Sequence, residues 1–192
     1  MIIRNEKAND FRAVEELTKK AFWNVSVPGC NEHYLAHVLR GHPDFIPELD
    51  FIVEEDGKII GNIMYTKCRL VDSDGNEKDV LTFGPLCIHP DYQRKGYGKK
   101  LQLHSFRRAE ELGYDTIVIF GNPENYVATG FKNGKHFHVG LGDTYPVALL
   151  VKELKEGFLS GRKWSYVESP AYEIDDADAE AFDKDFEQME KA

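Results

Sequence analysis

Cysteine is scarce in this chain, and each one stands alone. Cys30, Cys68 and Cys87 are the three among 192 residues. With no CxxC pair, zinc-knuckle and thioredoxin-type chemistry are excluded, and three scattered cysteines read as reduced thiols packed like small apolar side chains. Long apolar runs are missing as well: none reaches the roughly 18 residues that cross a bilayer. Met1 to Lys7 lack the basic start and apolar stretch of a secretory leader. These absences lead to the expectation of a cytoplasmic protein with no membrane partner. Positive charge is in deficit, with 24 Lys and Arg against 33 Asp and Glu for a net charge of −9. Such a balance disfavours nucleic acid as a partner. No internal repeat is visible.

What is present is unevenly spread. Glu173 to Lys191 holds nine acids against Lys184 and Lys191, a balance of −7 that leaves −2 for the rest. Gln93 to Arg108 reverses this. Arg94, Lys95, Lys99, Lys100, Arg107 and Arg108 lie there with no acid between them. A basic cluster inside an acidic protein suits a small polyanion. The length fits one well-filled core with an appendage.

The apolar pattern predicts a mixed α/β fold. Ile2 and Ile3 open a strand. Asn9 or Asp10 caps a helix with Phe11, Val14, Leu17, Ala21 and Phe22 at helical spacing. After a loop with Pro28 and Gly29, a second helix runs from about Glu32 to Arg40 and stops at Gly41 and Pro43. Asp56-Gly57, between two apolar runs, signals a hairpin whose second strand reaches Val71. A turn at 72–76 leads into a strand from Val80 to Ile88. A long helix to about Leu112, closed by Gly113, and a buried strand from Thr116 to Phe120 then imply one parallel pair joined by a crossover. Residues 121–131 read as a loop with a short helix, and 137–139 and 146–154 as closing strands. Phe182, Phe186 and Met189 recur at i, i+4 and i+7 in the acidic tail. They predict either a helix laid on the core or a disordered end, with the two aromatics favouring docking.

The chemistry concentrates in Leu86-Cys-Ile-His-Pro-Asp-Tyr-Gln-Arg-Lys-Gly-Tyr-Gly-Lys-Lys-Leu101. A strand ends, a glycine turn follows, and a helix begins. The first turn of a helix offers unpaired N–H groups and a positive dipole end. Gly96 and Gly98 let an anion approach the backbone, and the flanking bases suit a phosphate or pyrophosphate. A Walker A loop is absent, and GxG without its third glycine departs from the dinucleotide fingerprint.

Gln93-Arg-Lys-Gly96-Tyr-Gly98 resembles the Gln/Arg-x-x-Gly-x-Gly/Ala motif of the GNAT superfamily of N-acetyltransferases. Leu86 to Pro90 is similar to that family's fourth strand, and the order of elements resembles theirs from Met1 to about Lys152. The resemblance implies the GNAT fold, a central mostly antiparallel sheet with one parallel pair splayed at the cofactor and helices on its flanks. It places the acetyltransferase domain at 1–155 and a C-terminal extension with an acidic amphipathic helix at 156–192. It further implies acetyl-CoA as acyl donor. The backbone from Gln93 through Arg94, Lys95, Gly96, Tyr97 and Gly98 to Lys99 would hold the pyrophosphate, Leu86, Cys87 and Ile88 the pantetheine arm, and Asn122 a further contact. Asn125-Tyr126-Val-Ala-Thr-Gly130-Phe131 resembles the family's Tyr-x-x-x-Gly-Phe segment, which implies that Tyr126 protonates the departing thiolate. The implied reaction is direct attack by a primary amine of a small molecule or peptide through a tetrahedral intermediate. An N–H near Leu86 would stabilise the oxyanion. Gly84-Pro85 would interrupt that strand, since Pro85 cannot donate to a ladder. A homodimer is compatible with this reading.

Many relatives carry an acid in the fourth strand, but Val80 to Gly84 has none. Glu54, Glu55, His136, His138 and an ordered water stay open as the base. His33 and His37 at i, i+4 lack the Glu of HExxH and a third ligand, so no metal is expected and surface or cleft histidines are the plainer reading. His136 and His138 would share one strand face. Cys87, mid-strand, packs rather than attacks. Trp23, His33, Tyr34 and His37 are candidates for shaping the acceptor pocket. A non-catalytic acyl-CoA-binding module on the same fold is the alternative, and a nucleotide-binding protein a third reading.

Overall fold

Strand β3 (Lys58–Asp72) is the spine of the sheet in the computed structural model, which describes residues 1–191. One edge of β3 pairs antiparallel with β4 (Glu77–Ile88). The other edge is shared. Its first part takes β2 (Phe51–Glu55), and Arg69 to Asp72 take β9 (Trp164–Val167). Outside β2 lies β1 (Ile2–Asn5). Beyond β4 the order continues with β5 (Thr116–Phe120), β8 (Leu149–Glu153) and β6 (Lys132–Asn133), while β7 (Val139–Gly140) pairs with β9. The β4–β5 pairing is parallel, as the crossover requires, and the short β7–β9 pairing is parallel too.

Met64 and Tyr65, neighbours in β3, point to opposite faces, and each meets a helix layer. Tyr65 joins Leu81 and Phe83 in a core cluster with Leu101, Phe106 and Ala109 of α3 (Tyr97–Glu111). Met64 packs with Ala36 and Leu39 of α2 (Glu32–Leu39). On this second face α1 (Phe11–Phe22) sets Thr18 Oγ1 against Cys87 Sγ at 3.7 Å.

The feature that positions the site is a break in β4. Ile63 pairs with Leu86 but Tyr65 pairs with Phe83, so Gly84 and Pro85 both oppose Met64. Two residues against one make a bulge, which bends its strand. The interruption expected at Gly84-Pro85 is therefore present. Beyond it, β4 has left β5, since their register holds only at Leu81 and Ile117.

Several expectations need correction. Of residues 137–139 only Val139 is in a strand, the two-residue β7. Gly134–Phe137 form a 3₁₀ turn, and His138 has a left-handed φ of 56°. Asn133 Oδ1 accepts from the Lys135 N–H at 3.1 Å, a side-chain turn that competes with extension. His136 and His138 consequently share no strand face. The amphipathic tail helix is shorter than its spacing suggested: α5 (Asp176–Asp183) ends before Phe186 and Met189. Docking holds all the same. Phe186 is 5% exposed, with the Arg12 guanidinium 3.6 Å from its ring centre, and the Phe182 ring lies 4.6 Å from that of His37. The strand Trp164–Val167 was not foreseen, and it enters the main sheet from the C-terminal segment.

Candidate active site

The turn between β4 and α3 supplies the first half of the site. Pro90–Tyr92 make one 3₁₀ turn, and the Gln93 side chain donates to the Ile88 carbonyl at 3.0 Å, tying the turn to the strand end. Arg94 and Gly96 both adopt left-handed backbone, with φ of 60° and 84°. Among the described residues no acceptor meets the backbone N–H groups of Arg94 through Lys99, and the first helical bond at this end is Lys100 N–H to the Gly96 carbonyl. An ideal Cβ at Gly96 would meet nothing within 4 Å, and one at Gly98 only Ile88 at 3.6 Å. The first turn of α3 contains no acid, and Lys99 and Lys100 stand in it. Cations there oppose the helix dipole, at about 0.3–1 kcal/mol each. The electrostatics are those of an anion cradle: successive free N–H groups, two left-handed residues and surplus positive charge.

The second half is the splayed end of β4 with Tyr126. Leu86 and Ile88 are partly buried toward the α3 face, whereas Cys87 is buried toward α1, where burial pushes its thiol up to about 12. Cys87 therefore packs. The short helix α4 (Pro123–Tyr126) is capped by Asn122, whose Oδ1 accepts from the Glu124 N–H at 3.1 Å. Asn122 thus has a local structural task. Tyr126 lies against Phe83 and Phe131, with ring centres 5.9 and 5.8 Å away. Burial raises its pKa above the ordinary phenol value, so it keeps its proton at neutral pH. A residue the sequence reading missed makes room for that ring. A Cβ on Gly121 would fall 2.5 Å from Tyr126 Cε2. The signal was available, as a glycine at a strand end marks close approach.

The other candidates have partners of their own. Glu54 pairs with Arg4 at 3.1 Å and Glu55 with the N-terminal ammonium at 2.7 Å. His136 stands beside Lys132 Nζ at 3.3 Å on the surface. His33, expected at the surface or in a cleft, is fully buried. Its Nδ1 lies 3.6 Å from Cys30 Sγ and its Nε2 2.9 Å from Asp183 Oδ1, while burial depresses its pKa. His37 instead faces Glu15 at 3.0 Å. Among the described residues no three His, Cys, Asp or Glu side chains are grouped to hold a metal, and no helix is long and apolar enough to cross a membrane.

Comparison with known proteins agrees with this geometry. Residues 13–132 match the model of the acetyltransferase (GNAT) family. The chain belongs to that family. The uncharacterized N-acetyltransferase YhbS of Escherichia coli (strain K12) is 26% identical over 137 residues, covering 71% of this chain and 76% of that protein. The crystal structure of E. coli YhbS in complex with CoA superposes with a TM-score of 0.77 at 22% identity, covering 90% of this chain and 92% of that one. A GNAT family acetyltransferase from Brucella melitensis in complex with acetyl-CoA gives a TM-score of 0.69 at 21% identity, with coverages of 89% and 97%.

Proposed function

We propose that the chain is an acetyl-CoA-dependent N-acetyltransferase that passes the acetyl group directly to a primary amine of a small molecule or peptide. The observation that carries this reading is the run of unpartnered N–H groups from Arg94 to Lys99. These residues fit the coenzyme's diphosphate. The cradle is open where side chains are absent, at Gly96 and Gly98, and its surplus charge has the sign a diphosphate needs. Leu86 to Ile88, released from β5, have a free edge along which the pantetheine amides can pair.

The coenzyme brings the activated acyl group, and the chain's residues do the rest. The bulge at Gly84-Pro85 turns β4 so that the Leu86 N–H serves as a donor to the thioester oxygen. One such donor is worth about 2.7–4 kcal/mol in comparable sites. Tyr126 holds a proton for the departing sulfur. The departing thiolate, whose conjugate thiol titrates near 8.5, takes it from a phenol ordinarily near 10 as charge builds on sulfur, a contribution of about 10²–10⁴-fold. Attack by the neutral amine needs no covalent intermediate on the protein, consistent with the buried Cys87, and the proton the nitrogen sheds leaves to water, balancing the one Tyr126 gives up.

The test is calorimetry with CoA, followed by an amine panel read by thiol release and product mass. Tyr126→Phe is expected to keep CoA affinity and lose about 10²-fold in rate. CoA binding without turnover on any amine would favour a non-catalytic acyl-CoA-binding module. No binding of CoA would remove the assignment altogether.

A further inference from the structure

Tyr172 lies forty residues beyond the segment that matches the family model, yet its hydroxyl reaches the break in β4. The Pro170–Tyr172 turn is anchored by Ser169 Oγ, which donates to Asp44 Oδ2 at 2.6 Å, and by buried Ala171 packed beside Met64 and Leu39. From there Tyr172 Oη donates to the Gly84 carbonyl at 3.2 Å and receives the Thr66 hydroxyl at 3.3 Å. The approach does not depend on the glycine, since a Cβ added at Gly84 would sit 3.7 Å from the Tyr172 ring, an ordinary contact.

The contact has a local logic. A bulge leaves a residue outside the ladder, and a partly buried carbonyl without a partner is costly. Tyr172 supplies a donor at the bulged residue. Burial raises its pKa well above the ordinary phenol value, so the donating proton stays in place across the working pH range. The Leu86 N–H is separated from Gly84 by Pro85 alone, whose ring fixes φ and which has no N–H of its own. Holding the Gly84 carbonyl therefore limits how the Leu86 peptide can swing. Tyr172 also reaches the bulge from the face opposite Tyr126. Tyr126 packs on Phe83 in the α3 cluster, and Tyr172 bonds Thr66, whose neighbour Tyr65 points into that same cluster.

We propose that Tyr172 is a positioning residue for acyl transfer. Its hydroxyl pins the Gly84 carbonyl and thereby aims the Leu86 N–H at the thioester oxygen, so the C-terminal segment completes the reacting strand. The proposal rests on the N-acetyltransferase reading above.

Two measurements test it, one needing no acceptor. Acetyl-CoA labelled with ¹³C at the thioester carbonyl is bound to wild type and to Tyr172→Phe, and the bound carbonyl resonance is compared. In parallel, kcat and the acetyl-CoA KM are measured by thiol release with whichever amine the panel returns. The expected result is a displaced resonance, a kcat lower by about 10–100-fold, as for displacement of a reacting group by a fraction of an ångström to 1 Å, and CoA affinity within about twofold. A general loss of folding would weaken binding as well. Should Tyr172→Phe not fold, 3-fluorotyrosine at position 172 keeps the ring and alters only the donor, and it should also move the resonance. An unmoved resonance together with wild-type kcat overturns the proposal. Wild-type protein that does not bind CoA overturns the underlying reading instead.

Discussion

Gly121→Ala probes the placement of the phenol without touching it. An ideal Cβ at Gly121 falls 2.5 Å from Tyr126 Cε2 and 3.1 Å from Cδ2. Carbon–carbon contacts settle at about 3.5–4.0 Å, so the ring has to retreat by about 1 Å. It cannot do so freely, being held between Phe83 and Phe131 at 5.9 and 5.8 Å. Overpacking of this kind costs about 1–3 kcal/mol of stability. A misplacement of about 1 Å in a reacting group costs on the order of 10²-fold in rate. The assay is kcat by thiol release alongside CoA affinity by calorimetry. We expect a large fall in kcat, CoA affinity within about threefold given a cradle on separate residues, and a modest drop in Tm. The decisive control is Gly121→Ala in a Tyr126→Phe background. If the methyl acts through the phenol, most of its effect on rate disappears there. An equal loss in both backgrounds, or wild-type kcat with a displaced ring, would refute the reasoning.

Gly96→Ala should raise the Kd for CoA several-fold with little change in the rest of the fold, because its φ of 84° is unfavourable for a side chain although nothing stands within 4 Å of the added Cβ. Asp183→Ala should cost about 3–5 kcal/mol by urea unfolding, since it strips the carboxylate 2.5 Å from Lys19, whose side chain is 3% exposed. Asp50 is a pH-sensitive buried group: burial, then its contact with Glu6, pushes it up to about 9. A carboxyl that is neutral when folded and ionised when unfolded takes up a proton on folding, so stability falls as pH climbs from about 4 toward 9. Asp50→Asn should flatten that slope by up to about 1.4 kcal/mol per pH unit, read from urea midpoints across the range.

The order of elements through β5 was legible because periodicity and punctuation agree there. Asp56-Gly57 set the hairpin, Gly113 ended α3, and the basic glycine turn stood where the free N–H groups are. Where the reading went wrong, something non-local intervened. Phe137 to Val139 looked extended, but only Val139 is, because Asn133 closes a side-chain turn on Lys135 and His138 turns left-handed. His33 read as a surface or cleft residue on its helix, but the C-terminal segment packs over it, with Phe182, Asp183 and Phe186 against its ring. The four residues of β9 are too few to show a period, and their register is set by the length of β3. Tyr172 gave no local sign at all. Its contact with Gly84 joins residues 88 positions apart.

The two strands that share one edge of β3 carry a practical consequence for anyone shortening this protein. A chain cut after residue 155 would keep the anion cradle and Tyr126. It would lose Trp164 and Tyr166, which pack with Cys68, Leu70, Val118 and Val151, and Arg69 to Asp72, Leu70 among them, would be left as a bare strand rim. An uncapped rim of that kind recruits other chains, so the truncated product should gather into oligomers through a surface that the whole chain keeps for itself.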